Sequence, residues 1–175
     1  MSVKSSLETE HTAMAKGLNL PISPKQSVEL SKCLRYKNTS YATKFLQEVI
    51  DMQRAVPFPT FNKDMGHKPG MAAGRYPQKA AREFLRLIKA VEANAQVKGF
   101  DTTVLKITKI VANKASTPQT GGRKRHAKKR THVEIMVMED AKKASKKNLS
   151  SKKTESESKK ISRTNLKNVR QGEAI

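Results

Sequence analysis

Between Lys114 and Thr131 about 18 residues pass without any apolar pattern, yet the segments on both sides of them alternate strictly. Leu105 and Ile107 alternate with Lys106 and Thr108. Val133, Ile135 and Val137 alternate with Glu134, Met136 and Met138, which is the period of a half-buried strand. A patternless run held between two strands has nothing to bury. If the strands pair as a hairpin, each arm of the run can project on the order of 30 Å at ~3.3 Å per residue. The same run is a block of charge. From Ala112 to His132 there are seven basic residues, Lys114, Arg123, Lys124, Arg125, Lys128, Lys129 and Arg130, and no acid. The pattern predicts a basic finger leaving the globule.

Charge elsewhere divides the rest of the chain. Of 175 residues, 36 are Lys or Arg and 15 are Asp or Glu, for a net charge of +21; residues 141–175 hold +8 of it, and +6 remains outside this tail and the finger. Such a field repels itself unless a polyanion neutralises it, so nucleic acid is the first partner suggested and an acidic membrane surface the second. No stretch approaches the roughly 18 apolar residues of a membrane span, and Met1 to Lys16 lacks an apolar core with a cleavage site. A soluble, non-exported chain without membrane insertion is expected. The one cysteine, Cys33, excludes an intrachain disulfide framework and makes a cytosolic, cytoplasmic setting the default.

With 36% hydrophobic and 5% aromatic residues, a modest core is possible, but not one spanning every position. The expected organisation is a flexible N-terminus over residues 1–12, a globular domain over 13–140 that includes the hairpin 104–138 and binds nucleic acid, and a Lys/Ser-rich tail over 141–175. The tail has no aromatic residue and only scattered apolar ones, so it cannot offset the entropy of ordering and is read as disordered unless bound.

Three helices are legible. Ser23-Pro24-Lys25-Gln26 opens the first as a capping box with Pro at the first helical position, and the helix should run to about Tyr36. The second begins after Asn38-Thr39 and sets Ala42, Phe45, Leu46, Val49 and Ile50 on one stripe. The third starts at Pro77, buries Ala81, Phe84, Leu85, Ile88, Val91 and Ala95, and stops at Gly99. Between them, prolines and glycines break all periodicity from Ala55 to Tyr76, about 22 residues of loop. A third strand is expected from Met14 to Leu20.

The search for catalytic chemistry is negative. His11, His67, His126 and His132 have neither metal-ligand spacing nor a paired carboxylate, and Gly66, Gly70 and Gly74 match no phosphate-loop fingerprint. Cys33 has no nearby His to activate it. No cofactor and no enzyme activity are expected. The cluster Arg123 to Arg130 is of another kind, because it sits between strands, follows Gly121-Gly122, and is joined by Lys63, Lys68 and Arg75 on the long loop. With no aromatic residue in the finger and no zinc finger or leucine zipper, its chemistry is backbone neutralisation and shape fitting. On the third helix Lys79, Arg82 and Arg86 share one face, just after Arg75 and the helix start, where free amides favour phosphate.

Ala55-Val56-Pro57-Phe58, Gly66-His67-Lys68-Pro69-Gly70, Gly74-Arg75-Tyr76-Pro77-Gln78-Lys79-Ala80-Ala81, and Glu92-Ala93-Asn94-Ala95 with Lys98-Gly99 together resemble the large-subunit ribosomal protein family L twenty-two, seventeen in older eukaryotic naming. Matching order and spacing run from about Ile22 to Met138, and the short loop before Gly74 looks archaeal. The resemblance implies an α+β fold, a three-stranded antiparallel sheet covered by three helices. It further implies a seat on large-subunit rRNA among neighbouring ribosomal proteins, with the long basic hairpin reaching toward the polypeptide exit tunnel and the nascent polypeptide. Lys25, Lys63, His67, Lys68, Arg75, Lys79, Arg82 and Arg86 are the RNA-binding candidates on the globule. On the finger they are Lys114, Arg123, Lys124, Arg125, His126, Lys128, Lys129, Arg130 and His132. One departure stands out: many relatives have an Arg-rich tip with an aromatic residue, whereas Lys114 to Arg123 here is shorter and has neither, so the residues that would face a nascent chain do not carry over. Charge and tail alone would equally fit a chromatin-like protein that compacts DNA. An RNA-modifying enzyme would need a site that is not found.

Overall fold

The computed structural model describes residues 12–139; residues 1–11 of the expected flexible N-terminus and the basic tail lie outside the described residues, as does the side chain of Lys124, while Thr12, counted with that terminus, opens a strand. The elements run β1 (Thr12–Leu20), α1 (Pro24–Leu34), α2 (Thr39–Ile50), β2 (Val56–Pro57), β3 (His67–Lys68), β4 (Met71–Arg75), α3 (Gln78–Val97), β5 (Leu105–Lys114), β6 (Gln119–Thr120), β7 (His126–Ala127) and β8 (Thr131–Glu139). The main sheet has the order β1-β8-β5 and is antiparallel throughout. The two alternating segments therefore pair as the expected hairpin, and the strand expected at Met14–Leu20 is present as β1.

One face of this sheet is apolar: Ala13 and Ala15 from β1, Leu105, Ile107 and Ile110 from β5, and Val133, Ile135 and Val137 from β8 are all buried. The helices cover it, α3 lying over β1 and α1 over β5. Small residues on β1 let α3 come close; a Cβ added at Gly17 would stand 2.8 Å from Leu20 Cδ1 and 3.1 Å from Leu87 Cδ1. Phe84, Ile88 and Val91 are at most 1% exposed, and each such burial stabilises the fold by roughly 1.5–3 kcal/mol. Of the expected stripe, Leu85 is only partly buried and Leu87 takes its place against the sheet; Ile50 is likewise partly buried.

Both sheet edges are partly covered, which blunts the unpaired rows that invite aggregation. On β1, Asn94 Nδ2 of α3 donates to the Met14 carbonyl (2.9 Å) and Lys98 Nζ to the Thr12 carbonyl (2.8 Å). On β5, the α1–α2 connection pairs like a strand: Tyr36 N donates to Ile107 O and Ile107 N to Lys37 O. That pairing ends α1 at Leu34, short of the expected Tyr36, which takes a left-handed φ of 64°. The capping box at Ser23 does not form: no side-chain bond caps the helix, although Pro24 occupies its first position. The chain there is held from outside instead, by Thr131 Oγ1 donating to the Ile22 carbonyl (2.9 Å). In α3, Pro77 is the cap and Gly99, at φ 79°, follows the end as expected.

Two features depart from the sequence reading. Strand β5 is bulged between Ile107 and Lys109, so its buried positions shift from Leu105 and Ile107 to Ile110. And the stretch from Ala55 to Tyr76 is not all loop: β2, β4 and β3 form a small three-stranded sheet, turned at Gly70 (φ 74°). Its strands are two to five residues long, too short for a period to show.

Candidate nucleic-acid interface

Beyond the Lys114–Thr131 pair the two arms stay together as a narrow ribbon. Ala115 N donates to Arg130 O (3.0 Å) and Lys128 N to Pro118 O (3.0 Å); Gln119 then faces Ala127 and Thr120 faces His126. The tip turns through Gly121 (φ 98°), Gly122 (φ 53°) and Arg125 (φ 40°), and the first two are positions where glycine's freedom is needed. Lys114, Arg123, Arg125, His126, Lys128 and Lys129 are exposed and Arg130 is half-buried. Among the described residues the ion pairs are Lys16–Glu134, Lys32–Glu29 and Arg54–Glu48, none of which uses a finger cation. Among the described residues, Lys114, Arg123, Arg125, Lys128 and Lys129 thus keep their charge free of ion pairs.

The base of the finger is fastened to the end of β1. Arg130 Nη1 donates to the Asn19 carbonyl (2.9 Å), and Asn19 N donates to His132 Nδ1 (3.2 Å), with Asn19 itself at φ 52°. His132 is therefore committed to the fold by one ring nitrogen. Arg75 ends β4, and Lys79, in the first turn of α3, lies exposed with Arg82 and Arg86. The structure brings the start of α3 and the base of the finger together: Lys79, Lys128, Lys129 and Arg130 line one depression of about 500 Å³ with Ile22, Ser23 and Gln26. Cations far apart in sequence thus face one space.

The other candidates are placed elsewhere. Lys25 is exposed with its ammonium 5.9 Å from the Phe61 ring centroid, and Lys63 borders an apolar hollow with Pro57, Phe58 and Pro59. His67 is exposed on β3, while Lys68 beside it lies over the Tyr76 ring at 5.6 Å. Sequence reasoning missed Gln26, Tyr76 and Asn19. Tyr76 carried a signal, being the aromatic residue next to Arg75, and Gln26 was assigned to a cap that does not form. Among the described residues no group of His, Cys, Asp and Glu could hold a metal ion, and no helix is long and apolar enough to cross a membrane.

A family model described as "Ribosomal protein L22p/L17e" matches residues 15–138. The chain is also similar to proteins named large ribosomal subunit protein uL22. That of Methanoculleus marisnigri is 38% identical over 144 residues, covering 77% of this chain and 94% of the relative. That of Ignicoccus hospitalis is 39% identical over 142 residues, 74% and 89% of the two chains, and that of Methanocaldococcus jannaschii 37% identical over 148 residues, 79% and 95%.

Proposed function

Because the chain belongs to the ribosomal protein L22p/L17e family, we propose that its finger and the start of α3 clamp large-subunit rRNA between them. The protein is a structural, non-enzymatic constituent of the large ribosomal subunit, an rRNA-binding component of the cytoplasmic ribosome. Family membership decides against the DNA-compacting alternative, which charge alone could not separate. The observation that carries the clamp is the shared depression, where Lys79 meets Lys128, Lys129 and Arg130. Four cations on one concave surface suit a phosphate backbone, which supplies one negative charge per nucleotide. Arg75 and Lys79 grip a phosphate at the start of α3, a rigid contact that orients the finger.

The domain plan is part of the same reading: a globule over 13–140 that carries the hairpin, followed by a basic Lys/Ser-rich tail over 141–175. The finer partners are neighbouring ribosomal proteins, the exit tunnel and the nascent polypeptide. What supports the tunnel is the resemblance together with a two-stranded ribbon whose described tip residues Arg123, Arg125 and His126 are exposed. Co-sedimentation with large subunits through moderate salt tests the clamp. Lys79→Glu combined with Lys128→Glu and Lys129→Glu should release the protein from the subunit, and retention equal to the unaltered chain would refute it. Crosslinking from a photoreactive residue at Arg123 to a stalled nascent chain tests the tunnel contact.

A further inference from the structure

Gln26, in the first turn of α1, borders two depressions at once. On one side is the hollow at the base of the finger; on the other is a hollow of about 480 Å³ walled by Met65, Lys68, Gly74, Arg75 and Tyr76. Their chemistry differs. The first offers cations and aliphatic surface but no ring, which suits phosphate and ribose. The second contains an aromatic ring with an ammonium 5.6 Å from its centroid. A Cβ at Gly74 would stand 2.9 Å from Lys68 Cγ and 2.9 Å from Met71 Sδ, so the glycine lets Lys68 lie flat along β4 and reach the ring.

Resting on the rRNA reading above, we propose that the second hollow takes one unpaired nucleobase stacked on Tyr76, with the backbone of the same strand running past Gln26 into the cationic hollow. An A-form duplex cannot supply such a base, because its bases are stacked inside and only its shallow groove and backbone are exposed; an unstacked nucleotide can. The Lys68 ammonium, over the ring in the free protein, moves to the phosphate of the incoming nucleotide. A stacked base covers more of the ring than an ammonium 5.6 Å from its centroid, and the ammonium gains a phosphate in exchange. Gln26, whose amide both donates and accepts, bonds the ribose or base edge between the two hollows.

Binding of the purified full chain to a ten-residue oligoadenylate and to an abasic oligonucleotide of the same length, at one fixed salt concentration, separates stacking from charge. The unaltered protein should bind the oligoadenylate about tenfold more tightly than the abasic strand. Tyr76→Leu should erase that difference, with an unchanged urea-denaturation midpoint showing that the variant folds, and Tyr76→Phe should keep it. Equal affinities for the two strands, or a base preference that survives Tyr76→Leu, would overturn the proposal. Failure of the underlying reading looks different: Lys79→Glu with Lys128→Glu would then leave abasic binding intact.

Discussion

Glu29 is fully buried on α1, and its Oε1 accepts from the backbone amides of Thr60 (3.0 Å) and Phe61 (2.8 Å). One carboxylate thereby holds the start of the loop beyond β2, with Lys32 bonding the Thr60 hydroxyl and lying 4.0 Å from Glu29 Oε2. Glu29→Ala leaves two amides without an acceptor and should lower the unfolding free energy by about 2–4 kcal/mol, as measured by urea denaturation. Glu29→Gln keeps the accepting oxygen and should lose less than half of that. Cys33, four residues on, has its thiol pushed from 9.0 up to about 11 by burial first and then by the charge of Glu29. Folding therefore favours the protonated thiol: its contribution to stability is complete below about pH 9 and is lost as pH rises through about 11. At pH 8 alkylation by iodoacetamide should run on the order of 100-fold slower in the native protein than in the urea-unfolded chain, in step with the smaller thiolate fraction. Equal rates would mean that the thiol is not held by its surroundings.

The hairpin and α3 are the elements on which RNA binding rests. If Arg123, Lys124 and Arg125 each neutralise one phosphate, changing all three to Ala should flatten the plot of log K for rRNA against log salt by about 2 units, at roughly 0.7–0.9 per contact. An unchanged slope would place these side chains in solvent. Helix α3 works on two faces, burying Phe84, Ile88 and Val91 while Lys79, Arg82 and Arg86 stay exposed. Reversal of Arg75 to Glu should reduce incorporation into subunits much more than Lys152→Glu in the basic tail. Similar slight losses at both positions would show that no phosphate is gripped at the helix start. The two-faced character of α3 was readable in advance, because a helix repeats every 3.6 residues and a stripe survives in the sequence. The small sheet β2-β4-β3 was not, because strands this short carry no period.

Among the described residues, the buried apolar core lies largely between the main sheet and three helices, and Ala115, at the base of the finger, is buried outside it. The globule should therefore fold without RNA. Amide exchange on the free protein should be slowest in α3 and β8 and fastest between residues 116 and 129; strong protection at the finger tip would contradict this. Alternation, helical stripes, charge blocks and the Gly-Arg-Tyr-Pro block determined by themselves the three helices, the hairpin, the basic finger and the family, since each is a local property of the chain. Tertiary structure alone decided what depends on which surfaces meet. It placed β8 in the centre, bulged β5 so that Ile110 turns inward, and spent the α1–α2 connection on the β5 edge instead of a longer helix. It also left Ser23 without its cap bond and set Gln26 between two hollows. Lys79 faces Lys128, Lys129 and Arg130 for the same reason: β1 and β8 pair, Arg130 and Thr131 tie the base of the finger to Asn19 and Ile22, and the start of α3 is carried there by packing that no local pattern encodes.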